Sequence, residues 1–398
     1  MNDITKSRNS SLLNWLVLSS LFFLIISQLT FISIIITLFF FFYYLKQIKS
    51  SLSEIDIAFL IFFALSVISS LFARDKILAL GSSLLFVIYY IFFSVGRTVE
   101  FDKNIFSKFL LATMLLLVIF GIFFFIHPNE KISIGFGDLK LILIPPSNDF
   151  EVYNSGIRSP SITPNPVIYS SVFLYFSMIL ILWGLSLRKQ NKSKGYSVVG
   201  ITILIDIIAL FTSNSRSLLL ILPLVLILGL LLNRENITTI SIVVFLLILG
   251  LILGVYLSTP SVFSRIRTAI LGTDYTSFNV RADSYRRSIE LFIKNPILGV
   301  GLMNFHLYAP YYFGPYVHNI YLSLLVETGI LGTLAFFSII FLLLKKFFQK
   351  NNLSWFKVGI ISLIISFLLH GFVDNTMYVF SLGSLFWFFS GVLINEKI

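Results

Sequence analysis

Residues 105–126 read IFSKFLLATMLLLVIFGIFFFI. The run holds 22 residues and one charge, Lys108. A helix crosses roughly 30 Å of hydrocarbon with about 20 apolar residues, so this stretch predicts a membrane span. Comparable runs lie near 12–27, 30–45, 56–73, 77–95, 163–187, 197–212, 216–232, 237–257, 318–344, 355–372 and 376–394. Together they predict an all-α, polytopic integral membrane bundle of about twelve transmembrane helices, built as a single membrane domain over 1–398.

Composition agrees. Of 398 residues, 57% are hydrophobic and 12% charged, half the roughly 25% of soluble domains. The 44 phenylalanines exceed what a soluble fold of this length can hide, because its surface must be polar. The chain has no cysteine, which excludes disulfides, thiolate metal sites and a cysteine nucleophile. His127, His306, His318 and His370 are too scattered for a zinc motif. The start reads as a first membrane hairpin, because the apolar run after Lys6 and Arg8 continues to Leu45 without a small-residue cleavage site.

The net charge of +11 would suggest nucleic acid in a soluble protein, but its placement assigns it to orientation. With the N-terminus in the cytoplasm, short cytoplasmic segments and both termini hold 17 basic residues. Short outer loops hold three: Arg74, Lys76 and Arg216. The long segments 127–162 and 258–317 then face outward, and loops are where function concentrates. The lack of an obvious inverted repeat weighs against a secondary transporter.

The second outer loop is the more informative. Its residues 281–295, RADSYRRSIELFIKN, place Ala282, Tyr285, Ile289, Phe292 and Ile293 on one stripe and Asp283, Arg286, Arg287, Glu290 and Lys294 on the other. This predicts a surface helix with Arg281 at its N-terminal end, where free N–H groups favour an anion. The bland reading is a helix whose arginines touch only lipid headgroups. The next span begins within GPYVHNIYLSLLVETGILG (314–332), which puts His318 in its first turn. The positive helix end disfavours imidazolium there, so a neutral ring can serve as a general base. The plainer reading is a histidine that caps the helix. Glu327 is an ionisable group inside the membrane, for which a partner is expected. Arg158, Arg216 and Arg281 can converge on a diphosphate through their planar forks, or can each simply snorkel to water. Asp206 reads best as a helix–helix contact, and His370 and Asp374 as supporting groups at the outer end of the eleventh span.

These residues occur in a recognisable order. Arg158 precedes a turn with Pro164 and Asn165; TSNSRS carries Arg216; an arginine-led helix runs into NPILGVGLMNF; and HNIYLSLLVETGILG follows. The succession resembles the bacterial O-antigen ligase and polymerase superfamily, often called Wzy/WaaL, over about 160–380. One departure is SITPNPV (161–167), which lacks the glycine that many members place near the upstream arginine.

The resemblance implies a glycosyltransferase in the bacterial cytoplasmic (inner) membrane with its site facing outward. The donor is an undecaprenyl-diphosphate-linked glycan, and the acceptor is a lipid-linked repeat or lipid A core. His318 matches the family's general base. Arg216, Arg281 and Arg158 match arginines of diphosphate binding, with Asn319, Glu327 and Tyr285 supporting. No cofactor, metal or nucleic acid is implied. Membrane lipids, a flippase and a chain-length regulator are the implied partners. A repeat-unit polymerase making O-antigen, capsule or exopolysaccharide is the preferred activity. O-antigen ligase, O-linked oligosaccharyltransferase and polysaccharide transporter are its rivals.

Overall fold

A computed structural model describes residues 15–26, 29–50, 52–100, 102–127, 132–136, 139–143, 159–163, 165–213, 215–235, 238, 242, 243, 245, 249, 275–309, 317–349 and 354–395. Its helices are α1 (Trp15–Ile25), α2 (Thr30–Tyr43), α3 (Leu45–Ser50), α4 (Glu54–Leu71), α5 (Lys76–Thr98), α6 (Lys103–Ile126), α7 (Pro166–Arg188), α8 (Lys192–Ser213), α9 (Arg216–Leu232), α10 (Tyr275–Lys294), α11 (Ile320–Phe348), α12 (Trp355–His370) and α13 (Phe380–Ile394). Six of them, α4 to α8 and α11, are long and apolar enough to cross a membrane; α1, α2, α12, α13 and Ser217–Leu232 of α9 are shorter apolar helices. The chain is a multi-pass membrane protein. The expected span at 237–257 lies largely outside the described residues.

The ends of these helices follow from polar residues that the apolar runs do not reveal. Asp75, Asp102, Asn165, Ser215 and Asn319 each accept a backbone N–H of the first turn, as N-caps do. Helix α8 starts five residues before the expected 197, because Asn191 accepts the Lys194 amide at 3.0 Å and winds 192–196 into the helix. What reads as a short span is therefore 22 residues long.

The architecture is all-helical as expected, with one short hairpin added. Ile132–Phe136 and Leu139–Leu143 pair as an antiparallel hairpin, Ile132 opposite Leu143 and Phe136 opposite Leu139. The segment reads IxIxF…LxLxL in the sequence, an alternation at period two that is a strand signal.

The chain forms two compact units from interleaved segments. One comprises Met1–Thr37, Glu100–Leu271 and Leu353–Ser366. Its centre is α7, buried along nearly its whole length, with α6, α8 and α9 packed on it. Ser177 of α7 donates to Asp206 of α8 at 2.6 Å, which is the helix–helix contact expected of that carboxylate. The other unit comprises Leu38–Val99, Gly272–Asn352 and Phe367–Ile398. Here α4 packs on α5 and α11, and α5 on α13. Helices α5 and α13 approach so closely that a Cβ on Gly391 would lie 2.0 Å from the Phe93 carbonyl oxygen. A buried ion pair, Arg97 to Asp56 at 2.8 Å, ties α5 to α4.

Candidate active site

The second unit holds the candidate residues Arg281, Tyr285, His318, Asn319 and Glu327, and a broken helix runs through it. Within α11, Gly329 takes φ 64° and ψ −171°, so the helical ladder is interrupted there. The carbonyls freed by the break are not left orphaned. Val326 and Glu327 accept the amides of Val300 and Gly301 at 3.0 and 2.9 Å, and Ile330 donates to the Pro296 carbonyl at 2.8 Å. The segment NPILGVG thus lies in the break of α11. Its glycines make this possible: a Cβ on Gly299 would sit 2.5 Å from the Glu327 carbonyl carbon, and one on Gly329 would sit 2.2 Å from the Ile297 oxygen. The ETG of one segment and the GVG of the other are two halves of one backbone contact.

Glu327 has found the partner expected of it. Its carboxylate is buried and accepts the Tyr378 hydroxyl together with the backbone amides of Met303 and Phe305. It fastens the 302–305 turn to the helix. The turn is held from its other side by Asn304, which exchanges hydrogen bonds with the Asp75 backbone at 2.8 and 3.1 Å. Neither Tyr378 nor Asn304 stands out in the sequence, because each acts through a partner far along the chain.

His318 stands at the mouth of this frame. The sequence places it in the first helical turn, but α11 begins at Ile320. Asn319 is the cap instead, accepting the Tyr321 and Leu322 amides at 3.0 Å each. His318 is set outside the helix at φ 55°, a left-handed conformation uncommon for a residue with a side chain. The reading of His318 as a helix cap is therefore excluded. Its backbone is held by Tyr285 of α10, whose hydroxyl donates to the His318 and Phe372 carbonyls at 3.1 and 3.2 Å. Asn319 also donates to the Phe372 carbonyl at 3.2 Å, and Ile320 to the Gly371 carbonyl at 2.8 Å.

Those bonds bring the turn after α12 alongside His318. Asp374 Oδ1 lies 3.4 Å from His318 Nδ1 and accepts the Asn375 amide at 2.8 Å. Asn375 is itself anchored to Ser323 of α11 at 2.8 Å. Burial pushes the Asp374 carboxyl upward, but the bond from His318, the nearby His370 and His318 rings and the Asn375 amide outweigh it and hold it below the usual carboxylate range. With Asp374 ionised, Nδ1–H is the donor and Nε2 carries the free lone pair. The side chains of His318 and Asp374 keep 33% and 26% of their exposure, so a hydroxyl can reach the ring.

Arg281 does not sit at a helix start. Helix α10 begins at Tyr275, so Arg281 is nearly two turns inside it, where no N–H is free to bind an anion. Only its guanidinium can serve, and that group is close enough to buried His370 for their charges to interact. Ser284 and Ser288 of α10 are buried; Arg286 is exposed, and Arg287 donates to the Tyr308 carbonyl at 3.0 Å. Arg216 is the first residue of α9, and its side chain lies outside the described residues, as does all of Arg158. Among the described residues, no three histidine, aspartate or glutamate side chains converge as metal ligands.

A family model described as O-antigen ligase matches residues 201–337. The match takes in Arg216, Arg281, Tyr285, His318, Asn319 and Glu327, and ends before His370 and Asp374. No curated protein matches the chain.

Proposed function

From a chain matched over residues 201–337 by a family model described as O-antigen ligase, we propose a membrane glycosyltransferase that moves a glycan from undecaprenyl diphosphate to an acceptor hydroxyl. The observation that carries this is the partly exposed His318–Asp374 pair, with His370 close enough to feel the charges of both Asp374 and Arg281. His318 Nε2 takes the acceptor proton. The acceptor oxygen bonds to the anomeric carbon as the bond from that carbon to the diphosphate oxygen breaks, and undecaprenyl diphosphate leaves. One displacement inverts the anomeric centre. Asp374 holds the reactive tautomer and stabilises the imidazolium that forms. Arg281 stabilises the charge that grows on the diphosphate, and Arg216 and Arg158 keep the same role through the family resemblance. The step needs no metal or cofactor.

Twelve crossings of the inner membrane put both termini in the cytoplasm and segments 127–162 and 258–317 outside. The distribution of basic residues supports this orientation. The preferred acceptor is a second lipid-linked repeat, which makes the chain a repeat-unit polymerase, because polymerases occur in bacteria with or without an outer membrane. Transfer to lipid A core is the second reading, favoured by the description of the matching family.

Glycan analysis of a deletion strain tests all of this. Loss of the surface polymer with single repeats retained identifies the polymerase. Accumulation of lipid-linked polymer identifies the ligase. An unchanged surface glycan and unchanged lipid-linked pool would refute both.

A further inference from the structure

A second polar site lies in the first unit, where α6, α8 and α12 start and α7 ends. Lys103, Asn104 and Lys108 of α6, Trp183 and Ser186 of α7, Gln190, Lys194 of α8 and Trp355 of α12 are among the residues that line a cleft of about 380 Å³. That lies within the range of roughly 300–1,000 Å³ typical of ligand sites. Three ammonium groups line it and no carboxylate does. None of the three lysines has an ion-pair partner among the described residues. Two nearby charges are already engaged: Arg188 pairs with Glu235 at 3.2 Å, and Asp102 caps α6 by accepting the Asn104 and Ile105 amides.

The neutral groups also face the needs of an anion. The buried Trp183 donates its indole N–H to Asn104 Oδ1 at 2.9 Å. This occupies the acceptor end of the amide and leaves its NH₂ to donate. Gln190 is exposed at the rim. Trp355 is half-buried at the first residue of its apolar helix, beside the ends of the membrane-crossing α6, α7 and α8, the level at which tryptophan is favoured. Uncompensated lysines between helix ends at that depth suit the headgroups of anionic lipids.

We propose that this cleft binds the phosphate of an anionic glycerophospholipid headgroup. Lys103, Lys108 and Lys194 would supply the charge, the Asn104 amide a directed donor, and Trp183 and Trp355 the apolar contact at the glycerol level. The proposal does not depend on glycosyl transfer, since none of these residues belongs to the His318 site.

The test uses the full-length chain in a nonionic detergent, incubated with dioleoyl phosphatidylglycerol or dioleoyl phosphatidylcholine, with bound lipid counted by native mass spectrometry. The expected result is a phosphatidylglycerol adduct that phosphatidylcholine does not reproduce. At about fivefold per lysine, Lys108→Gln should weaken it about fivefold and Lys103→Gln with Lys194→Gln about 25-fold. Lys345→Gln with Lys346→Gln removes the same charge from the end of α11 and should leave it unchanged. All variants must elute as the parent does on gel filtration; the exposed single change Lys108→Gln decides the matter if the double variant does not. Equal loss in both double variants, or no loss at Lys108→Gln, would overturn the site. Displacement of the adduct by millimolar inorganic phosphate would make the occupant a soluble phosphate and overturn the lipid assignment.

Discussion

At the residue scale, the proposed chemistry rests on one tautomer. With Asp374 ionised beside Nδ1, His318 would present Nε2 to the acceptor. His318→Ala should lower glycan transfer by about 10²–10⁴-fold, the usual contribution of a general base, with membrane insertion intact. Polymer of normal length and amount from a well-expressed variant would refute that role. Asp374→Asn keeps the shape but can turn an NH₂ towards Nδ1, which favours the opposite tautomer. It should lower the turnover rate by at least about tenfold and affect donor KM little. The carboxylate also has a pH signature. Its folded pKa is depressed, so its stabilisation is complete above the unfolded value of about 3.9 and is lost as pH falls through the lower folded value. The gap in thermal stability between the parent and Asp374→Asn should still be open at about pH 5 and should close only in stronger acid, below the usual carboxylate range. A gap that closes near neutral pH would mean the carboxylate is not held as described. At Arg281, lysine keeps the charge and loses the planar fork. Arg281→Lys should lose most activity, whereas Arg286→Lys, exposed on the same helix, should keep it. Equal activity in both would reduce Arg281 to a headgroup contact. Arg287 is a poorer control than the helical pattern suggests, since it ties α10 to Tyr308.

At the element scale, the break in α11 and the NPILGVG segment are one structure. Gly329 combines a positive φ with an extended ψ, a region essentially reserved for glycine, and a side chain there costs about 1–3 kcal/mol in conformation alone. It would also collide with the Ile297 carbonyl at 2.2 Å, and overpacking adds about 1–3 kcal/mol. Gly329→Ala should therefore unfold several degrees below the parent and lose activity with it, because the loop it holds leads towards His318. Gly81 and Gly200 are helical glycines, and a Cβ added at either would meet nothing within 4 Å. Alanine at either should be neutral or stabilising by up to about 1 kcal/mol. Thermal unfolding in detergent checks all three. Equal behaviour of Gly329→Ala and Gly81→Ala would mean that the break does not brace the fold.

At the scale of the whole molecule, topology is the first prediction. Reporter fusions at Lys192 and Gly272 should report cytoplasm and exterior respectively, and a cytoplasmic signal at Gly272 would overturn the orientation. The sequence by itself determined that the chain is a helical membrane protein, since only lipid accommodates apolar runs of this length and number. It also located most helices to within a few residues, and it singled out His318 and Arg281 through a resemblance in motif order. It could not show that GVG and ETG are halves of one contact, that Asn319 caps α11 and leaves His318 outside it, or that Asp374 is the histidine's partner. The reason is separation along the chain: His318 and Asp374 are 56 positions apart, Glu327 and Tyr378 51, and Asn304 and Asp75 229. Hydrophobic periodicity is a local signal that reports which face is buried. Which polar group meets another across a bundle is decided only when the helices pack, because a hydrogen bond needs its two atoms within about 3 Å, and no pattern within one helix carries that distance.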